Sequence, residues 1–313
     1  MISLTRLLAV LLLVAVPVAN AGPLRDWLAS RHEADSLQDE QDDGGASLKL
    51  PAGTRAFRDL AYGPDARQRI DVYLPTGATK APLLVMVHGG AWRYGDKTSK
   101  GVVTNKADHW LPRGIGLVSV NYRMLPETPP EQQAQDVAAA LGFVQTHAAE
   151  WGADPAHVVL MGHSAGAHLV SLLAVDPERV ARAGGQPWLG TVVLDSAAVD
   201  VEAVMQRHHA PFYDSAFGSD PAGWRAMSPL RQLTPNATPL LFVCSTRRRD
   251  HPCDQANEMV AAAQALKVRA ELLPQPLSHM DINATLGTAG AYTDAVDDFL
   301  SRLDPVFAAH LRR

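Results

Sequence analysis

The stretch His157-Val158-Val159-Leu160-Met161-Gly162-His163-Ser164-Ala165-Gly166 joins a short apolar run to a segment with helical spacing. The apolar run predicts a buried strand, and the residues after Gly166 predict a helix. The two glycines permit a tight turn between them, which lifts the Ser164 hydroxyl above the edge of a sheet. This pattern predicts a serine nucleophile, with an ordinary glycine-rich turn as the alternative interpretation.

Similar apolar runs, rich in Val, Leu and Ile, recur at Ile70–Leu74, Leu83–His88, Gly116–Asn121, Val192–Leu194 and Leu240–Val243. They lack period-two alternation, as is typical of strands covered on both faces. Segments with helical spacing lie between or after them, at Glu131–Trp151, Ala165–Ala174, Asp254–Leu266 and Ala291–Leu303. The alternation predicts an α/β fold with a mostly parallel, doubly wound sheet. Residues 201–233 interrupt it and are predicted to form a small lid-like insertion.

A second motif, His88-Gly89-Gly90-Ala91-Trp92, directly follows the apolar run Leu83–Val87. Adjacent glycines let backbone N–H groups approach a substrate oxygen without a Cβ atom in the way. We therefore expect the N–H groups of Gly89, Gly90 and Ala165 to bind the oxyanion of an acyl-transfer reaction. His88 is expected to hold this loop by hydrogen bonds rather than to transfer a proton.

The amino-acid composition and net charge restrict the possible classes of function. The 313 residues include 28 Lys+Arg, 33 Asp+Glu and 12 His, a formal charge of −5. With 47% hydrophobic and 19% charged residues, the chain is typical of a globular protein. It has no basic run, which argues against a nucleic-acid partner.

The N-terminal segment predicts export. Leu7–Ala19 is almost wholly apolar but short for a membrane span, and Ala19-Asn20-Ala21 fits a signal-peptidase site. Residues 1–21 are therefore predicted to be a cleavable signal peptide, with an uncleaved anchor as the alternative. After cleavage we expect no stable membrane insertion, a flexible acidic leader over residues 22–50 and one domain over residues 51–313. The expected location is the periplasm or outside the cell.

Cys244 and Cys253 are the only two cysteines. In an exported chain a closely spaced pair predicts one disulfide. Two free thiols are the alternative, and a metal site is less favoured because His251 would add only one further ligand.

The chain resembles the hormone-sensitive-lipase-like branch of the α/β-hydrolase fold, which includes bacterial carboxylesterases and the kynurenine formamidase type. The resemblance covers residues 62–300. It rests on Asp71-Val72-Tyr73-Leu74-Pro75, the His88–Trp92 loop with Gly95-Asp96-Lys97, Asn121-Tyr122-Arg123, and Gly162–Gly166 continuing into Ala167-His168-Leu169.

The resemblance implies a triad in the chain order serine, acid, histidine. It places the catalytic base at His279, after the apolar run Ala270–Leu273. The acid usually lies soon after the strand that corresponds to Leu240–Val243, but Arg248 stands where that aspartate would align. Asp250 is the expected acid because it is the nearest carboxylate, with Asp254 and Asp195 as alternatives. His168 is expected to be a packing residue.

The resemblance implies a serine carboxylesterase, and its acyl-transfer reaction requires no metal or organic cofactor. The shortness of the insertion over residues 201–233 predicts a short- to medium-chain acyl group. The enzyme's partner is a small-molecule ester, and Trp92 and His163 are expected to contact it. The alternatives are a kynurenine formamidase-like amide hydrolase, an acetyl-polysaccharide esterase, and a binding module without catalysis. No oligomeric state is predicted.

Overall fold

A computed structural model describes residues 48–312. The predicted signal peptide and nearly all of the predicted acidic leader lie outside these residues. The described part contains a sheet of eight strands: β1 Arg55–Ala61, β2 Arg69–Leu74, β3 Ala81–Val87, β4 Gly116–Val120, β5 Ala153–His163, β6 Gly190–Leu194, β7 Leu240–Ser245 and β8 Ala270–Gln275.

The strands lie in the order β1-β2-β4-β3-β5-β6-β7-β8. β1 and β2 pair antiparallel, as do β2 and β4, and all the remaining pairs are parallel. The mostly parallel sheet predicted from the sequence is therefore confirmed. Because parallel strands point the same way, the carboxyl ends of β3, β5, β6, β7 and β8 meet at one edge.

Helices cover both faces of this sheet. The longer ones are Lys100–Trp110, Pro130–Trp151, Ala165–Val175, Pro252–Ala265 and Ala291–Leu303, and the shorter ones include Glu178–Arg182, His279–Ala284 and Pro305–Leu311. β3 is buried along its whole length, with Val85 and Val87 in one hydrophobic layer and Leu84 and Met86 in the other. Burial on both faces explains why its sequence shows no alternation.

Residues 201–233, the predicted insertion, lie between β6 and β7 as four short helices: Val201–Met205, Pro211–Phe217, Pro221–Ala226 and Pro229–Gln232. An aspartate caps the first and the third, where Asp200 accepts from the Ala203 N–H and Asp220 from the N–H groups of Ala222 and Gly223. Their aromatic residues Tyr213 and Phe217 are buried against Trp92. The insertion therefore packs on the loop that follows β3.

Within residues 48–312, no helix is long and apolar enough to cross a membrane. The same residues hold no cluster of three or more His, Cys, Asp or Glu side chains that could bind a metal ion.

Two glycines allow the turn between β5 and the helix Ala165–Val175. A Cβ atom on Gly162 would lie 2.4 Å from the Gly166 carbonyl oxygen. A Cβ atom on Gly166 would lie 2.4 Å from the carbonyl oxygens of both Val87 and His88, at the end of β3. The turn thus depends on backbone segments that approach more closely than any larger residue permits.

We expect Gly166→Ala to lower the free energy of unfolding by about 1–3 kcal/mol, because a methyl group forced against backbone atoms must displace them. Urea unfolding followed by circular dichroism measures this change. Gly223→Ala is the matched control, since its Cβ atom would meet nothing closer than 3.6 Å. Equal stabilities of the two variants would contradict the proposed packing constraint.

Candidate active site

Ser164 lies at the sharp turn between β5 and the helix Ala165–Val175. Its backbone has φ 54° and ψ −116°, a conformation that a residue with a Cβ atom rarely adopts. Its N–H donates to the Leu194 carbonyl at 2.9 Å, which ties the turn to the end of β6. The serine is therefore held in a strained position at the carboxyl edge of the sheet, as the elbow pattern predicts.

His279 connects Ser164 to a carboxylate. The Ser164 hydroxyl lies 2.9 Å from His279 Nε2, and His279 Nδ1 lies 2.6 Å from Asp195 Oδ2. An Nδ1–H that donates to Asp195 leaves Nε2 as the acceptor for the serine proton. The three side chains thus form a continuous hydrogen-bonded chain, arranged for the serine to be deprotonated.

The carboxylate beside His279 is Asp195, and the expectation that Asp250 would occupy this place is corrected. Asp195 directly follows β6, the neighbour of β5, so the parallel sheet brings it to the edge that holds Ser164. The Asp250 carboxylate instead accepts hydrogen bonds from Arg248. Asp254, the other alternative, is exposed in the first turn of the helix Pro252–Ala265. The position of Asp195 at a strand end is the sequence signal that favours it.

Burial and charge set the protonation of this pair. Burial would raise the pKa of Asp195, but the hydrogen bond from His279 and the charge of Arg248 hold it well below its usual range. Burial lowers the pKa of His279, and the Arg248 charge lowers it further against the opposing effect of Asp195. A charged Asp195 beside a neutral His279 is the state that can accept a proton from Ser164.

The His88–Trp92 loop lies against the serine turn. A Cβ atom on Gly89 would lie 2.9 Å from the Cβ atom of Ser164. The backbone N–H groups of Gly89, Gly90 and Ala165 donate to no acceptor within residues 48–312. Ala91 and Ala165 both line the cavity at Ser164. The loop therefore carries N–H donors without an acceptor beside Ser164, as an oxyanion site requires.

His88 holds this loop in place. Its ring is buried and stacks on Tyr122 with ring centroids 4.6 Å apart, and its Nδ1–H donates to the Gly89 carbonyl at 2.7 Å. Gln133 Nε2 donates to the Trp92 carbonyl at 2.8 Å from the helix Pro130–Trp151. These contacts agree with a structural role for His88.

The helix His279–Ala284 is fixed at both ends. Ser278 caps its N-terminus by accepting from the Asp281 N–H. At its C-terminal end, Lys106 Nζ donates to the Asn283 carbonyl at 2.7 Å and to Asn283 Oδ1 at 2.8 Å. Lys106 is fully buried, and burial lowers its pKa to about 7. Lys106 thus anchors the helix that carries His279, a role not evident from the sequence.

Trp92 and His163, the expected substrate contacts, occupy different surroundings. Trp92 lines the cavity at Ser164. His163 is fully buried behind His279, with its Nε2 3.0 Å from the His279 carbonyl oxygen, and the cavity lining does not include it. The expectation that His163 contacts the substrate is therefore corrected, because its side chain is fully buried with its ring 4.6 Å from that of His279.

The cavity at Ser164 is small, about 20 Å³. Phe212 and Tyr213, from the insertion, form part of its lining. A larger cleft of about 240 Å³ adjoins it and shares Ala197 and Tyr213 in its lining. The insertion therefore limits the space next to Ser164.

Cys244 and Cys253 form a disulfide, with their Cα atoms 5.2 Å apart. The bond joins the end of β7 to the start of the helix Pro252–Ala265. It encloses the loop that carries Arg248 and Asp250, so it restrains this loop next to the candidate site.

The BD-FAE family model matches residues 70–262, more than half of the chain. The chain belongs to the BD-FAE family. Among curated relatives, a probable isoprenylcysteine alpha-carbonyl methylesterase of Arabidopsis thaliana is 26% identical over 266 residues, and esterase LipQ of Mycobacterium tuberculosis is 28% identical over 261 residues. These matches cover 78% and 77% of the chain but only 55% and 61% of the two relatives.

This BD-FAE family member also has solved structural neighbours. The truncated form of a carbohydrate esterase from gut microbiota superposes with a TM-score of 0.69 at 20% identity, over 81% of this chain and 98% of the other. The likeness confirms the α/β-hydrolase fold that the sequence resemblance implies.

His168, on the helix after Ser164, gives a testable pH dependence. Its Nδ1 accepts from Trp92 Nε1–H at 3.2 Å and its Nε2–H donates to the Met227 carbonyl at 2.8 Å, so the folded protein holds it neutral. Burial lowers its pKa to about 4, from 6.5 in the unfolded chain.

Below pH 6.5 the unfolded chain therefore binds a proton that the folded protein excludes, and stability falls with the pH. We expect His168 to account for about 2 kcal/mol of stability lost between pH 7 and pH 5. Urea unfolding at both pH values, compared between the wild type and His168→Gln, measures this difference. Parallel losses in the two proteins would show that His168 is not the source.

Proposed function

We propose that this BD-FAE family member is a serine carboxylesterase that hydrolyses esters with short- to medium-chain acyl groups. The observation that carries the proposal is the hydrogen-bonded chain Ser164–His279–Asp195, with contacts of 2.9 and 2.6 Å, on a strained turn beside a loop whose N–H donors have no acceptor within residues 48–312. The names of the curated relatives, which include esterases, support the same reaction class.

In the proposed mechanism, His279 removes the proton from Ser164 as its oxygen attacks the ester carbonyl. The N–H groups of Gly89, Gly90 and Ala165 stabilise the resulting oxyanion. The imidazolium then gives its proton to the leaving alcohol, and a water molecule, deprotonated by His279, hydrolyses the acyl-enzyme.

Asp195 is the proposed triad acid. Its carboxylate keeps the proton of His279 on Nδ1 and stabilises the imidazolium that forms during the reaction. Ser245 N–H donates to Asp195 Oδ1 at 2.7 Å, which fixes the carboxylate while Oδ2 faces His279.

The size of the cavity supports a short acyl group. A space of about 20 Å³ holds little more than one water molecule, and Phe212 and Tyr213 form part of its lining. An acetyl group requires the least displacement of these side chains, whereas a long acyl chain would require the insertion to move away. The adjoining cleft of about 240 Å³ offers room for the alcohol part of the ester.

We also propose that the protein works after export, in the periplasm or outside the cell. The apolar segment Leu7–Ala19, followed by Ala19-Asn20-Ala21, supports a signal peptide. The Cys244–Cys253 disulfide suits an oxidising compartment.

We expect Ser164→Ala to lower kcat/KM for p-nitrophenyl acetate by about 10⁴-fold or more, because the nucleophile is lost. Asp195→Asn should lower it by about 10³–10⁴-fold by favouring the wrong tautomer of His279. Asp250→Asn is the matched control and should cost less than about tenfold, since Asp250 does not contact His279. Wild-type hydrolysis by Ser164→Ala would refute the mechanism, and loss of activity only in Asp250→Asn would restore Asp250 as the acid.

The chain-length preference is tested with p-nitrophenyl acetate, butyrate, octanoate and palmitate. We expect kcat/KM to fall steeply beyond butyrate, and Phe212→Ala to raise the octanoate-to-acetate ratio about tenfold by removing one wall of the cavity. Phe143→Ala removes a similar ring near Trp151, outside the cavity lining, and should leave the ratio unchanged. A preference for octanoate in the wild type would contradict the proposed acyl size. No turnover of any of these esters would favour a formyl amide or a carbohydrate ester as substrate.

A further inference from the structure

An arginine lies in direct contact with two members of the proposed triad. Arg248 Nη1 is 3.0 Å from Asp195 Oδ2 and 2.9 Å from His279 Nδ1, and it also donates to the Asp195 carbonyl at 3.2 Å. Its side chain is only 10% exposed, and it lines the same cavity as Ser164. A buried cation thus sits at the junction between the acid and the base.

The same guanidinium group binds a second carboxylate. Arg248 Nε donates to Asp250 Oδ1 at 2.9 Å, and Nη2 donates to Asp250 Oδ2. This is a bidentate pair, the geometry in which an arginine holds a carboxylate most specifically. The Asp250 side chain is 35% exposed, whereas that of Asp195 is fully buried. Arg248 therefore bridges a buried carboxylate at the site and a half-exposed one at the surface.

The loop that carries Arg248 is itself restrained. It follows β7 and is enclosed by the Cys244–Cys253 disulfide. Ser245, the last residue of β7, donates its N–H to Asp195 Oδ1. The end of β7 and the loop after it therefore hold both oxygens of Asp195, Oδ1 through the Ser245 N–H and Oδ2 through Arg248.

We propose that Arg248 is a positioning residue of the site: it holds the Asp195 carboxylate against His279 and places a positive charge beside the imidazole, with Asp250 as its counter-ion. This inference rests on the proposed function, because it assigns a role relative to the triad of that reaction.

The effect of the Arg248 charge on His279 follows from the groups that contact the imidazole. His279 Nδ1–H donates to Asp195 Oδ2 at 2.6 Å. Nδ1 therefore has no free lone pair for Arg248, whose guanidinium can only donate, and the 2.9 Å approach of Nη1 is a close contact with no hydrogen bond. Arg248 then adds a positive charge next to an imidazole that would become positive on protonation at Nε2. Burial lowers the pKa of His279 first, and Arg248 lowers it further.

Other groups near His279 define the background of this effect. Asp195 opposes Arg248, and His163 lies behind the ring with centroids 4.6 Å apart. Asp281, on the same helix, accepts a hydrogen bond from the Ser278 hydroxyl, and Tyr292 OH donates to the Ile282 carbonyl. These groups stay unchanged when Arg248 or Asp250 is substituted.

The first test is the pH profile of kcat/KM for p-nitrophenyl acetate. Arg248→Met removes the positive charge, so the acidic limb of the profile should move up by about one pH unit. It also removes the guanidinium N–H groups that hold Asp195, so the plateau of kcat/KM should fall about 10–100-fold. Arg248→Lys keeps the positive charge but lacks the planar guanidinium group, so its plateau should fall while its acidic limb stays near that of the wild type. Arg247→Gln, the neighbouring exposed position, is the matched control and should change neither quantity.

The second test uses the counter-ion. Asp250→Asn removes a negative charge but leaves Arg248 in place, so the acidic limb should move in the opposite direction, down by about half a pH unit. Because Asp250 is partly exposed, this variant tests the inference even if substitutions of buried Arg248 prevent folding. Thermal unfolding of each variant shows which ones are folded.

The third measurement does not depend on turnover. NMR titration of the His279 imidazole in a Ser164→Ala background, assigned by comparison with Ser164→Ala/His279→Gln, reports its protonation directly. A higher pKa of His279 in Arg248→Met and a lower one in Asp250→Asn would support the inference. This holds even if the wild type hydrolyses no ester, because that result would refute only the proposed function. Unchanged His279 titration in both variants, or equal acidic limbs for Arg248→Met and Arg248→Lys, would overturn it.

Discussion

Gly166 packs so closely on the end of β3 that the carbonyl oxygens of Val87 and His88 occupy the place of a side chain. The remaining geometry of the site depends on this contact. It brings the start of the helix Ala165–Val175 beside the His88–Trp92 loop, which places Ser164 next to backbone N–H groups that have no acceptor within residues 48–312. The parallel sheet then adds the other groups, since Asp195, Arg248 and His279 all come from segments that follow neighbouring strands.

The strands and helices that the sequence predicts best are those whose hydrophobic pattern matches their burial in the fold. β3 and the central part of β5 are continuous apolar runs because both faces are covered, and the helix Ala291–Leu303 has the predicted bounds. β1 is missed, because it is an edge strand whose residues are mostly exposed and therefore carry no apolar run. The helix His279–Ala284 is missed because it is only six residues long and its anchors, including Lys106, are distant in the chain.

Within the site, Ser164 lies where its own neighbours in sequence place it, and family resemblance is enough to select His279. The carboxylate is harder to predict because its role depends on which strand ends lie side by side. No local sequence pattern predicts the order of the strands in the sheet. Asp250 is closer in sequence to the expected position, but Arg248 lies between it and His279. Asp195 is separated from His279 by 84 positions and reaches it only through the fold. The resemblance therefore predicts the position of the serine and the histidine, but not which carboxylate lies beside the histidine.

The backbone of Ser164 has a further consequence. A positive φ is unfavourable for serine, and the surrounding packing must hold the residue there. Glycine adopts this conformation without strain, so a serine at this turn lowers the stability of the fold. Ser164→Gly would therefore stabilise the protein while removing the proposed nucleophile.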